Sequence, residues 1–178
     1  MNRYTRNDLL VEPEWIEEHR NDSDVRLIDC RPEAAYRQQP SRFTPAAQPK
    51  RIILFEELKE RFAEPHVKLL NLLPRSYWSG ADNPFEKRHP GHIPGAANID
   101  SNNFLDRDGN FKSAAELDAL PSDAGISATD EVVVHCQAGV RTTAGFFVLS
   151  LLGSDSVRAY DGAMAEWANR DDVPVETG

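Results

Sequence analysis

The stretch Val132-Val133-Val134-His135-Cys136-Gln137-Ala138-Gly139-Val140-Arg141-Thr142-Thr143 constrains this chain more than any other. It opens as an apolar β-branched run, the pattern of a strand buried on both faces. Residues 132–136 are therefore predicted as a central strand. The small and apolar residues 142–152 read as a helix. Between the two lie one cysteine, a short glycine-containing loop and an arginine. A strand–loop–helix turn aims backbone N–H groups and the positive end of a helix dipole at one point. A thiol at that point is drawn toward thiolate, which is the nucleophile. Arg141 adds a fixed positive charge and a fork of donors suited to an oxyanion. A lone cysteine at a strand end is more often a buried structural residue; the loop and the arginine turn that reading toward a nucleophile.

Residues 136–141 also resemble the active-site loop of rhodanese-type sulfurtransferases. Two further stretches agree. Gly91-His92-Ile93-Pro94-Gly95-Ala96-Ala97-Asn98-Ile99 is similar to the signature that precedes that family's second strand. Tyr160-Asp161-Gly162-Ala163-Met164-Ala165-Glu166-Trp167, with Pro174-Val175-Glu176-Thr177-Gly178 after it, is similar to the end of a thiosulfate or mercaptopyruvate sulfurtransferase. The resemblance covers roughly residues 50–178. It implies a rhodanese-like three-layer α/β fold.

Bulk properties bound the reading. A chain of 178 residues supports one domain with some left over. A formal charge of −9 argues against non-specific nucleic-acid binding, which needs basic patches. No apolar run reaches the length of a membrane span, and residues 1–8 lack an apolar signal core. Two cysteines do not make a disulfide framework. A reducing cytoplasm suits a chain that needs a free thiol, so a cytoplasmic location is expected.

The N-terminal residues echo the rest. Residues 13–19 read as a short helix with a proline near its first turn, and Val25-Arg26-Leu27-Ile28-Asp29-Cys30 as a strand. Residues 31–37 then turn into a helix. Residues 38–49 carry Pro40, Pro45 and Pro49, which marks a linker. The pattern returns with an amphipathic helix at 55–62, a strand at 67–73 and a turn at 74–80. This internal repeat fits a family that often carries two such domains in tandem. The first copy lacks a Gly-His-Ile-Pro-Gly segment and a loop cysteine. Residues 1–48 thus read as a partial domain with a Pro-rich linker, and 49–178 as a complete one. The family usually carries Asp-x-Arg at the end of the repeated strand. Asp29-Cys30-Arg31 keeps it; Asn71-Leu72-Leu73 does not, which leaves open that the first copy supplies this strand instead.

Ala81 to Pro90 is a polar loop in which Lys87, Arg88 and His89 cluster. The resemblance assigns an arginine just before Gly-His-Ile-Pro-Gly to the anionic donor, and Arg88 is the position that inherits the role. His92 and Gly95 are expected to shape the turn, and no ligand-spaced cysteines or histidines make His92 a metal ligand. Asp106-Arg107-Asp108-Gly109-Asn110 lacks the downstream glutamate of a calcium loop and reads as a turn. Ser113 and Glu116 form a capping box for a helix through Leu120. Residues 157–160 read as the next strand and 163–169 as the last helix, with Trp167 in the core. Strands alternating with helices imply a mostly parallel sheet covered on both faces. Cys136 then lies at its carboxyl edge, where open α/β sheets place ligands.

The expected chemistry is two-step covalent sulfur transfer. Cys136 attacks the sulfane sulfur of a small anionic donor and becomes a persulfide. Backbone N–H groups of Gln137, Ala138, Gly139, Val140 and Arg141 stabilise the charged sulfur. A thiophilic acceptor, cyanide or a thiol, removes it. No cofactor or metal is expected. His135 points away from Cys136 by strand alternation. The loop matches neither the family's basic Cys-Arg-Lys-Gly-Val-Thr nor its Cys-Gly-Ser-Gly-Val-Thr form; its charge, at the end of the loop, favours thiosulfate over 3-mercaptopyruvate. Two other readings stand beside this one. Residues 134–139 also resemble the signature of cysteine-dependent protein phosphatases, but there five residues separate cysteine from arginine, and here four do. The third reading is a sulfur carrier or an inactive interaction module.

Overall fold

The computed structural model describes residues 13–19, 22 and 48–178. The chain divides into two compact units, Asp8–Ala47 and Met1–Asn7 with Gln48–Gly178. In the first, helix α1 spans Pro13–His19, as its N-terminal proline predicts. The expected strand at 25–30, the turn at 31–37 and Cys30 lie outside the described residues.

Among the described residues, the larger unit is built on four parallel strands: β1 (Val67–Asn71), β2 (Ala97–Asn98), β3 (Glu131–His135) and β4 (Val157–Ala159), in the order β2-β1-β3-β4. Around them run α2 (Phe55–Arg61), α3 (Arg75–Trp78), α4 (Ala114–Asp123), α5 (Val140–Leu151) and α6 (Ala163–Trp167). This is the three-layer α/β architecture expected. The place left open in the sheet is filled by Val67–Asn71 itself, with Asn71 beside His135 in register.

Local chemistry explains the elements. Val132, Val133 and Val134 are fully buried, which fits an interior strand flanked on both sides. Glu131 opens β3, and Cys136 lies just beyond its end, where the chain turns. Ser113 caps α4 by the reciprocal box with Glu116. That helix runs three residues past Leu120, with Pro121 buried inside it. Trp167 is buried against Phe55, Phe62 and Tyr160, with its indole N–H donating to the Pro174 carbonyl at 2.8 Å. Asp106 accepts N–H bonds from Asp108 and Asn110, both at 2.9 Å, an ordinary side-chain-closed turn. No helix among the described residues is long and apolar enough to cross a membrane.

Candidate active site

The carboxyl edge of the sheet gathers three loops. The first leaves β3 through Cys136, which is buried. The second leaves β4 through Tyr160, Asp161 and Gly162. The third follows β1 and reaches the His92 segment.

The Cys136 loop turns at Gly139, whose φ of +80° is left-handed. Gly139 is needed twice: a Cβ there would be strained, and it would lie 2.4 Å from Asp161 Oδ1. The helix starts at Val140, two residues earlier than the composition suggests, because Gly139 serves as its N-cap. Cys136 and Gln137 are tied down by their carbonyls, which accept N–H bonds from Met164 at 3.0 Å and Ala165 at 2.8 Å. By contrast, among the described residues no backbone N–H from Gln137 through Arg141 donates to a protein acceptor. Five donors are left available along the loop that carries the thiol. Arg141 is half-buried in the first turn of α5, Ala138 and Val140 are exposed, and Gln137 is half-buried.

Below the loop, His135 is completely buried beside Asn71. Burial pushes its pKa down to about 3, so it is a neutral imidazole. Its ring nitrogens lack a well-formed hydrogen bond, although the ring lies against the Cys136 backbone. Asn71, which stands where the resemblance expects an aspartate, accepts from the Leu73 N–H at 2.9 Å. An amide thus closes the strand end without the arginine partner of an Asp-x-Arg pair.

His92 shapes its turn by contacts. Its ring stacks on Trp78 at 3.8 Å, and Nδ1 donates to the Trp78 carbonyl at 2.8 Å. Burial lowers its pKa. Its backbone pairs with Glu176 in an antiparallel bridge, and the Glu176 carboxylate accepts the Gly95 N–H at 2.9 Å. The C-terminal residues thereby strap the segment in place.

The basic cluster divides. Arg88 is exposed and pairs with Asp171, as does His89. Lys87 goes inward: it is buried, donates to the Gly91 carbonyl at 3.1 Å, and has its pKa lowered by that burial. Nothing in the local sequence pattern marks Lys87 as the buried member of the cluster. Nor does the sequence mark Thr142, which is buried with its hydroxyl unpaired.

Residues 12–170 match the family of the rhodanese-like domain. The thiosulfate sulfurtransferase of Corynebacterium glutamicum is 35% identical over 185 residues, covering 92% of this chain and 61% of its own length. The sulfur carrier protein TtuD of Thermus thermophilus is 45% identical over 89 residues, 49% of this chain and 31% of its own. The chain thus spans less than two thirds of these relatives. Among solved structures, the anaerobic ergothioneine biosynthesis enzyme from Chlorobium limicola superposes with a TM-score of 0.67 at 23% identity, over 73% of this chain and 32% of that one. With its match running from the N-terminal unit almost to the end, this chain belongs to the rhodanese-like domain family.

Proposed function

We propose that the chain is a sulfurtransferase that passes a sulfane sulfur through a persulfide on Cys136. The observation that carries this is the row of five unpaired N–H groups, Gln137 to Arg141, on the loop that holds a buried thiol. A free thiol does not need such a row; an anionic sulfur does. The names of the Corynebacterium and Thermus relatives support the same reading.

Thiosulfate is the preferred donor and 3-mercaptopyruvate the second. The Cys136 thiolate attacks the sulfane sulfur, a new S–S bond forms, and the bond to the sulfonate sulfur breaks with its electron pair leaving on sulfite. A thiol or cyanide then attacks the outer sulfur and Cys136 departs as thiolate. Gln137, Ala138, Gly139, Val140 and Arg141 hold the charged sulfur and the donor anion. Arg88 joins them only by giving up Asp171. The Thermus relative's name supports a second reading, a sulfur carrier that hands its persulfide to another protein.

Purified protein given thiosulfate or mercaptopyruvate should gain one sulfur by mass and lose it to cyanide. Cys136→Ser should abolish uptake and Cys30→Ser should leave it intact. Cys136-dependent hydrolysis of an aryl phosphate without sulfur uptake would replace this reading by a phosphatase. Sulfur uptake without turnover on small acceptors would favour the carrier.

A further inference from the structure

Two adjacent threonines in the first turn of α5 behave differently. Thr143 turns its hydroxyl back to the Val140 carbonyl at 2.7 Å, the usual way a helical threonine satisfies itself. Thr142 does not. It is 2% exposed, and its Oγ1 is buried with no hydrogen-bond partner. A buried hydroxyl left unpaired costs stability, so in the resting protein Thr142 is worse than an apolar residue of the same shape.

Its place indicates what it waits for. Thr142, Gly145, Val148 and Leu149 form the buried stripe of α5, and Gly145 lies directly against Leu72 beyond the end of β1. Thr142 is one turn nearer the helix start, above the carboxyl edge where Cys136 leaves β3. Helical side chains lean toward the N-terminus, which aims this hydroxyl back at the Cys136 loop. A second buried polar atom of that loop, Gln137 Oε1, also lacks a partner. The resting Cys136 sulfur does not satisfy Thr142 either, which leaves its donor open to an acceptor absent from the resting protein.

We infer that Thr142 is a sulfur-binding residue whose hydroxyl donates to the outer sulfur of the Cys136 persulfide. The inference rests on the sulfurtransferase reading. When the donor's S–S bond breaks and sulfite leaves with the electron pair, the new Cys136–S–S⁻ group carries its negative charge on the outer sulfur. An O–H donor placed there is paired only in the loaded state, which stabilises that state relative to the resting one.

Thr142→Val, which keeps the shape and removes the donor, tests this. The variant should keep the wild-type thermal midpoint or exceed it, and iodoacetamide should alkylate resting Cys136 at the wild-type rate. Uptake of sulfur from thiosulfate should slow about 10- to 100-fold, the range for one hydrogen bond to a charged group. The persulfide should also decay faster. Thr142→Ser should recover most of the loss; Thr142→Ala serves the same comparison if valine lowers the thermal midpoint. Loading of the valine variant at the wild-type rate, or slowed alkylation of its resting thiol, would overturn the inference while leaving the sulfurtransferase reading intact. Wild-type protein that takes up no sulfur from either donor would overturn both.

Discussion

Met164 donates its backbone N–H to the Cys136 carbonyl at 3.0 Å, so the residue that bears the thiol is fastened to the first turn of α6 as well as to its own strand. Ala163, just before Met164, is fully buried with a φ of +50°. The backbone is bent there, against the preference of an L-residue, and the bend delivers the Met164 and Ala165 N–H groups to the Cys136 loop.

Gly139 lies against Asp161, which leaves no room for a side chain at 139. Gly139→Ala must tolerate a left-handed backbone, costing about 1–2 kcal/mol, and a Cβ 2.4 Å from Asp161 Oδ1. The thermal midpoint should fall, and sulfur loading of Cys136 should fall further than the unfolded fraction explains. Adding Asp161→Gly should relieve the clash and leave the backbone strain.

Arg141 supplies the one guanidinium within the loop. Arg141→Ala should raise the concentration of thiosulfate needed for half-maximal loading by the equivalent of about 1.5–3 kcal/mol, one charge-assisted hydrogen bond. Arg141→Lys should recover only part, because an ammonium lacks the planar fork. Loading titrations followed by mass read both.

Gly91 tests the C-terminal strap. Its φ of +134° suits glycine alone, and a Cβ would lie 2.2 Å from the Glu176 carbonyl. Gly91→Ala should cost about 1–3 kcal/mol for the backbone conformation, with the clash added. Limited proteolysis should then release the last residues. If the tail stays protected and the melting curve is unchanged, the strap does not depend on this glycine.

Acid should loosen the opposite edge of the sheet. Glu131 accepts two bonds from Arg61 at 2.8 Å, and Arg158 pairs with Glu57. The bond from Arg61 holds the Glu131 carboxyl below its ordinary 4.5, and the bond from Arg158 does the same for Glu57. A carboxylate depressed in the fold adds stability above its unfolded pKa and loses it as pH falls through the folded value. The wild-type thermal midpoint should therefore begin to fall below about pH 4.5. Glu131→Gln should start lower at neutral pH and show a shallower acid decline; parallel curves would exclude this pair as a contributor.

Much of this molecule was legible in its residue pattern. Val132, Val133 and Val134, β-branched and apolar in a row, read as an interior strand. The glycine after Cys136 and the apolar run beyond it fixed a strand–loop–helix, and Ser113 with Glu116 marked a helix start. These signals are local, because burial period, turn residues and caps act within a few positions of one another. They sufficed for an α/β sheet with Cys136 at its carboxyl edge.

Tertiary structure decided the rest. It turned Lys87 inward and Arg88 outward to Asp171, though the two are neighbours of like charge. It required glycine at 139 because of Asp161, and at 91 because of Glu176. It gave Thr143 a partner and left Thr142 without one. Each outcome depends on which distant group, or none, lies within hydrogen-bonding or van der Waals range. That range is a few ångströms in space, and Arg88, Gly139 and Gly91 each meet a residue more than twenty positions away along the chain, whereas whether Lys87 and Thr143 turn back to a near carbonyl, or Thr142 to none, depends on the packing around them.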